Sequence, residues 1–303
     1  MAISRSQLVK ELEPGLNALF GLEYKRYENQ HSEIYAEESS DRAFEEEVML
    51  SGFANAQVKG EGSGVSFDEA QETFTARYTH ETVALAFAIT EEAIEVNLYD
   101  RLASRYTKAL ARSMSNAKQV KAVEPLIQGL PTTNGFDSGD GVSLFNTSHP
   151  TVSGTFQNTL TTQADLNETS LEQSLIDIGQ MTDERGLRVA ARGVKMIIPS
   201  ELQFTAERLM KSQGRTGTAD NDINANVSMG MVPQGYRVNN YLTDTDAFYI
   251  ITDVPNGMKM FNRAPLTTAM EGDFDTGNVR YKARERYSFG VSDPRGIFGV
   301  EGV

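Results

Sequence analysis

The sequence contains no cysteine and only three histidines among its 303 residues. Without cysteine there are neither disulfides nor thiolate metal centres, although that absence fixes no compartment. His31, His80 and His149 lie far apart and form no HxxxH or HExxH spacing, so zinc has no ligand set. No stretch approaches eighteen apolar residues, and no membrane span is expected. The opening MAISRSQLVKELEPGLNALFGLEY lacks the apolar run of a secretory signal. GEGSGVS and GRTGTAD are glycine-rich but lack the lysine of a phosphate loop. A GxSxG nucleophile turn is missing, and no GxGxxG leads from a strand into a helix. DSGDG, from Asp137 to Gly141, has three features of a calcium loop but no glutamate at the twelfth position, and reads as a turn. No catalytic, cofactor-binding or metal residue is assigned, and the chain is not expected to be an enzyme.

Apolar residues make up 39% of the chain and charged residues 23%, enough for a core, and the length suits one elaborate domain or two ordinary ones. The net charge of −14 argues against general DNA binding, which needs cations to replace counterions at phosphates.

Residues 5–27 carry an amphipathic pattern through Leu8, Leu12, Leu16, Leu19 and Phe20. Pro14 and Gly15 interrupt it, giving one helix or two short pieces that must dock on this chain or on a neighbour. EIYAEESSDRAFEEE, residues 33–47, holds seven acids and one arginine, and is either a solvated linker or a docking strip for cations. Residues 45–89 read as a long two-stranded arm, out along EVMLSGF and back along ETFTARYTHETVALAFAI, with a polar tip at Gly60, Gly62 and Gly64. So long a hairpin is marginal alone in water, which points to support from a neighbouring copy. At Thr90 the period changes to 3.6. Ile94, Leu98, Leu102, Tyr106, Leu110 and Met114 form one stripe, predicting a helix from Glu91 to Ala117 or Val123, about 40 Å long.

Residues 128–165 read as an extended loop region, with His149 a hydrogen-bonded loop histidine. An α/β subdomain follows over roughly 170–255: a helix ended by Gly186, a strand in VKMIIPS, a helix capped by Ser200, a mobile loop GRTGTADNDINANVS, and strands in YRVNNYL and DAFYIITD. MKMFNRAPLTTAM and the closing VRYKARERYSFGVSDPRGIFG return to long β structure.

In that closing strand, alternation puts Arg280, Lys282, Arg284 and Arg286 on one face and Tyr281, Ala283, Glu285, Tyr287 and Phe289 on the other. Like charges at this spacing, about 6.6 Å apart, repel one another and need anions opposite. Glu45, Glu46 and Glu47 are the candidates, within one subunit or across a boundary between subunits. As a nucleic-acid strip it is weak, because Tyr281 and Tyr287 lie on the wrong face to stack bases.

The order of parts resembles the tailed-phage major capsid proteins with the Hong Kong 97 fold, an α+β class, and most of all the Mu-type major head subunits. The resemblance is carried by LFNTSHP, by KMIIPSELQFTAERLMKS with the Asn-rich loop after it, and by RYKARERYSFGVSDPRGIFG. It implies an N-terminal arm at 1–43, an extended loop at 44–89, a peripheral domain with a spine helix at 90–165, an axial domain at 166–258 and return strands at 259–303. It further implies hexamers and pentamers in an icosahedral shell around double-stranded DNA, a virion protein assembled in the host cytoplasm, with portal, scaffold and decoration proteins as partners. The long helical scaffolding segment of some relatives has no counterpart here, so scaffolding is expected from a separate protein or not at all. In the type member a loop lysine is crosslinked to a neighbour's asparagine; Lys59 lies near the tip, but no asparagine and glutamate match, so Lys59 is taken as a polar tip contact. The alternative is an encapsulin-like compartment with protein cargo.

Overall fold

The computed structural model describes residues 5–90, 99–133, 135–214, 222–273 and 277–303. Helix α1, Arg5–Tyr24, is followed by strands β1, Ala36–Ser39, β2, Phe44–Leu50, β3, Glu72–Thr79, and β4, Glu81–Ile89. Helix α2, Tyr99–Gln128, precedes a short hairpin of β5, His149–Thr151, and β6, Gly154–Phe156. Then come α3, Glu168–Gln180, β7, Gly193–Ile198, α4, Gln203–Lys211, α5, Ala225–Met229, β8, Tyr236–Val238, and β9, Phe248–Thr252. The long strands β10, Met258–Gly272, and β11, Val279–Val291, lead to β12, Ile297–Val300.

Two four-stranded sheets organise these elements, ordered β1-β10-β11-β4 and β12-β9-β7-β8. In the first, the inward face of β11 packs on both long helices. Leu16 and Phe20 of α1 and Ala103, Leu110, Ala111 and Met114 of α2 close over Tyr281 and Ala283. In the second, α3 and α4 pack their apolar stripes on Met196, Ile198, Phe248 and Ile250. The two sheets are joined by β9 running on into β10 and by β11 into β12, with Gly257 against Gly296 where the connections pass. A Cβ on Gly296 would lie 2.3 Å from the Cα of Gly257, so neither position admits a side chain.

Several elements differ from the sequence expectation. Helix α1 is continuous through Pro14 and Gly15, both on its exposed side. It forgoes one amide bond because Leu16 and Phe20 are buried beneath it. It docks within this chain, where Asn17 Oδ1 accepts from Thr268 Oγ1 at 2.7 Å and from the Tyr281 hydroxyl at 2.8 Å. The arm's returning strand is broken at His80. β3 pairs with β2, whereas β4 joins the main sheet beside β11. The predicted start of the spine helix at Glu91 lies outside the described residues; its end is Gln128, past both expected positions. Helix α3 stops at Gln180, and Gly186, at φ +80°, serves a later turn. Ser200 lies in a 3-10 turn and does not cap α4. The loop expected after residue 213 contains α5, capped by Asn224, whose side chain accepts from the amides of Asn226 and Val227; residues 215–221 lie outside the described residues. His149 is fully buried and opens β5. The last strand, β12, belongs to the second sheet and not to the return strands of the first.

Candidate assembly surfaces

Strand β11 keeps its period of two, and the four cations take the face turned away from the helices: Arg280, Lys282 and Arg284 are exposed and Arg286 half-buried. Their cross-strand neighbours on β4 are Ala88, Ala86, Ala84 and Thr82, and on β10 Glu271, Ala269, Thr267 and Ala264. Opposed residues in an antiparallel pair share a face, so from Lys282 to Arg286 the strip is a row of long cations between two low walls of alanine and threonine, with Glu271 beside Arg280 at its end. Arg280 pairs with Asp273 beyond the strand end. The Arg286 guanidinium donates to the His80 carbonyl at 3.4 and 3.5 Å. Among the described residues, the Lys282 and Arg284 side chains have no acidic partner.

The acids expected opposite the strip are turned elsewhere in the same chain. Glu45 accepts from Ser40 Oγ at 2.6 Å and faces Arg42 at 3.5 Å. Glu46 faces Arg77 at 3.7 Å, and Glu47 holds Lys259 at 2.6 Å. Lys259 is buried and also faces Glu38 at 3.2 Å. Burial draws its ammonium down, but the two carboxylate bonds outweigh burial and hold it above the ordinary lysine range. Glu33 meets Lys195 at 2.7 Å and Arg237 at 3.5 Å. The segment 33–47 is therefore a docking strip for cations, and its partners lie within the subunit. It fastens β1 and the base of the arm to the two sheets.

Beyond β2 and β3 the arm has little to rest on. Val58 and Phe67 are 99% and 97% exposed, with Leu50, Phe53 and Val65 also open. Lys59 is exposed at the tip. The arm's base is closed by Ser51 and Gln71, and Asp68 reaches across to the Ala54 amide at 2.7 Å. Apolar side chains this exposed on a projecting hairpin mark a surface that another molecule covers.

All three histidines are structural joints. His149 faces Asp140 Oδ2 at 2.6 Å and Asn158 Oδ1 at 2.9 Å. His80, where the arm leaves the main sheet, meets Ser288 at 2.9 Å and Ser40 at 3.1 Å. His31 ties the segment after α1 to α2. The Gln119 amide oxygen accepts from the His31 backbone N–H at 3.0 Å, so its NH2 group donates to Nδ1 at 2.9 Å. The remaining ring proton is then on Nε2, 3.1 Å from Glu37. Burial, and after it the nearby Lys118 ammonium, hold His31 below the ordinary imidazole value of 6.5 despite Glu37. The folded chain thus refuses a proton that the unfolded chain accepts. Its contribution is present above pH 6.5 and is lost as the pH falls from there toward the folded value. The melting temperature should fall less between pH 7.5 and 5.5 in His31→Asn than in the unsubstituted chain; equal slopes would remove His31 from the acid response.

A second buried cluster escaped the sequence reading. Arg295 is 3% exposed and lies over the Phe156 ring at 4.2 Å. It donates to Glu184 at 2.6 Å, to the Thr182 carbonyl at 2.8 Å and to Asp293 at 3.2 Å. Sequence separation hid it, since Glu184 stands 111 residues away. No cluster of His, Asp and Glu suited to a metal occurs among the described residues.

Similarity to known proteins agrees with surfaces made for assembly. No curated protein matches the sequence. Among solved structures, the capsid of a native GTA particle aligns with a TM-score of 0.54 at 13% identity, over 90% of this chain and 89% of that one. The capsid of Myoviridae phage XM1 aligns at 0.53 and 11% identity, over 89% of each chain. A structure from Mycobacterium phage Ogopogo aligns at 0.52 and 12%, over 91% of this chain and 92% of that one. The fold is therefore the α+β Hong Kong 97 type of tailed-phage capsids. A family model described as phage capsid protein matches residues 72–300, most of the chain. This is a structural protein of a capsid shell, and the chain belongs to the phage capsid protein family.

Proposed function

We propose that the chain is the major subunit of a phage head, which assembles with copies of itself as hexamers and pentamers into an icosahedral shell around double-stranded DNA. The observation that carries this reading is the projecting arm, whose apolar residues have no cover in their own subunit. In this reading the arm of residues 44–80 reaches a neighbour, 81–165 and 259–291 form the peripheral part, 166–258 with β12 the axial part, and 1–43 the N-terminal arm. Portal and scaffold proteins, and decoration proteins where present, are separate partners. The shell has no catalytic turnover, and it forms in the host cytoplasm. Electron microscopy of purified particles, with absorbance at 260 nm, tests the whole. DNA-filled heads are expected; closed shells holding a protein cargo would mean an encapsulin-like compartment instead.

The strip Arg280, Lys282, Arg284 and Arg286, together with Lys59, contacts neighbouring subunits in this proposal. Glu45 and Glu47 have close partners at home, so Glu46, with the longest pair and its side chain 45% exposed, is the acid of the three most free to cross a boundary. One exposed pair contributes only about 0–1 kcal/mol, but a contact repeated throughout a closed shell sets register as well as affinity. Arg284→Glu should leave a soluble, folded subunit that does not assemble, and Glu46→Arg should restore shells in part. Normal shells from Arg284→Glu at moderate salt would end this assignment.

A further inference from the structure

The acidity of the chain is not spread evenly. Helix α2 carries six cations, Arg101, Arg105, Lys108, Arg112, Lys118 and Lys121, against the two acids Asp100 and Glu124. Lys118 and Lys121 are spent on Glu285 and Glu81. Arg105, Lys108 and Arg112 stand at helical spacing on one face, each about one turn of 5.4 Å from the next. All three are exposed, and among the described residues none has an acid within ion-pair distance. Elsewhere Lys195, Lys211 and Lys259 behave differently and all meet carboxylates. Between the end of α1 and this face runs a groove of about 420 Å³ lined by Tyr27, Lys108, Ala109, Arg112, Ser113 and Asn116. Glu23 also lines it, but that side chain is buried and faces Arg26 at 3.4 Å. What the groove offers to solvent is cationic, with hydroxyl and amide donors beside the charges.

We propose that this face of α2 is a contact surface for the phosphodiester backbone of duplex nucleic acid. The inference rests on the reading above, in which the shell encloses DNA. Two features select the partner. The main sheet lies between this face and the Arg280–Arg286 strip, so the two positive surfaces look in opposite directions and cannot serve one subunit contact. A rigid helix with a cation at each turn also meets a polyanion in any register, because a duplex presents charge continuously along its length, about one per 1.7 Å. An acidic protein segment would have to bring carboxylates at matching intervals. Ser113, Asn116 and Tyr27 are side chains of the kind that hydrogen-bond phosphate oxygens without reading sequence. Binding is expected to be non-specific and strongly salt-dependent.

The test is fluorescence anisotropy of a labelled 30-base-pair duplex with the purified full chain across a series of salt concentrations. Each phosphate contact contributes about 0.9 to the slope of log affinity against log salt, so Arg105→Gln/Lys108→Gln/Arg112→Gln should lower that slope by roughly two to three. Arg105→Lys/Arg112→Lys should keep it, and Lys282→Gln/Arg284→Gln, on the far face, should leave it unchanged. If the triple variant does not fold, Lys108→Gln alone, with an expected loss of about one, carries the test. An unchanged slope in the neutralised chain overturns the proposal. So does absence of duplex binding by the unsubstituted chain, or an equal loss from the far-face variant, or a neutralised chain that binds duplex normally but fails to assemble. DNA-filled particles combined with an unchanged slope would sink this inference alone, whereas shells with protein cargo would sink the DNA-enclosing reading and leave the slope measurement standing.

Discussion

A chain lacking residues 54–66 should fold normally and fail to close into shells. None of the four buried clusters draws a residue from that stretch, so its removal takes away no core contact. The Ser51 and Gln71 bonds at the base of the arm remain to close the shortened turn. What disappears is exposed apolar surface, Val58 and Val65 above all, together with Lys59. Side chains that touch nothing in their own subunit contribute nothing to its stability, and only a neighbour gives them a favourable term. Circular dichroism and urea unfolding should therefore show a subunit within about 1 kcal/mol of the full chain, while sedimentation shows shell yield reduced by at least tenfold. Shells at normal yield would mean that the arm is not an assembly element.

The largest loss of stability is expected from Arg295→Met. The guanidinium is enclosed, with Glu184 at 2.6 Å, and the second oxygen of that carboxylate is buried without a partner among the described residues. Removing the cation strands a buried negative charge, which costs about 3–5 kcal/mol when one member of such a pair is deleted. Arg295→Met with Glu184→Gln should recover part of the loss, because a neutral amide costs less to bury than a lone carboxylate. Urea midpoints at pH 7 measure both. A cost below about 1 kcal/mol, the range of exposed pairs, would show that water reaches the cluster.

The parts of the fold that were legible obey a single period over many residues. β11 alternates without interruption from Val279 to Tyr287, so its cationic face is assigned from spacing alone. The stripe of α2 through Leu110 and Met114 was legible for the same reason. The break at His80 was not, because β3 and β4 both alternate and nothing in ETFTARYTHETVALAFAI marks where the chain leaves one sheet for another. Pro14 misled because a local rule was overridden by the burial of Leu16 and Phe20. Gly186 misled because its left-handed φ serves a turn and not a helix end. Within the subunit the acids at 45–47 meet cations other than the strip. Lys259 and Arg77 are distant in sequence, and a single chain offers many cations to each carboxylate. The face of α2 has a visible signal, cations at 105, 108 and 112 in helical spacing, but a net charge of −14 says nothing of a local basic face.

The meeting of Gly257 and Gly296 has a mechanical consequence. Two connections pass side by side between the sheets, and where they pass their backbones touch with no side chains between them. A flexible joint needs slack, either a lubricating layer of side chains or a single thread free to swivel. Here there are two threads and no slack, so the sheets turn as one rigid plate. Any difference in curvature from one subunit to the next must then be absorbed at the periphery, by the arm beyond Ser51 that carries no core of its own.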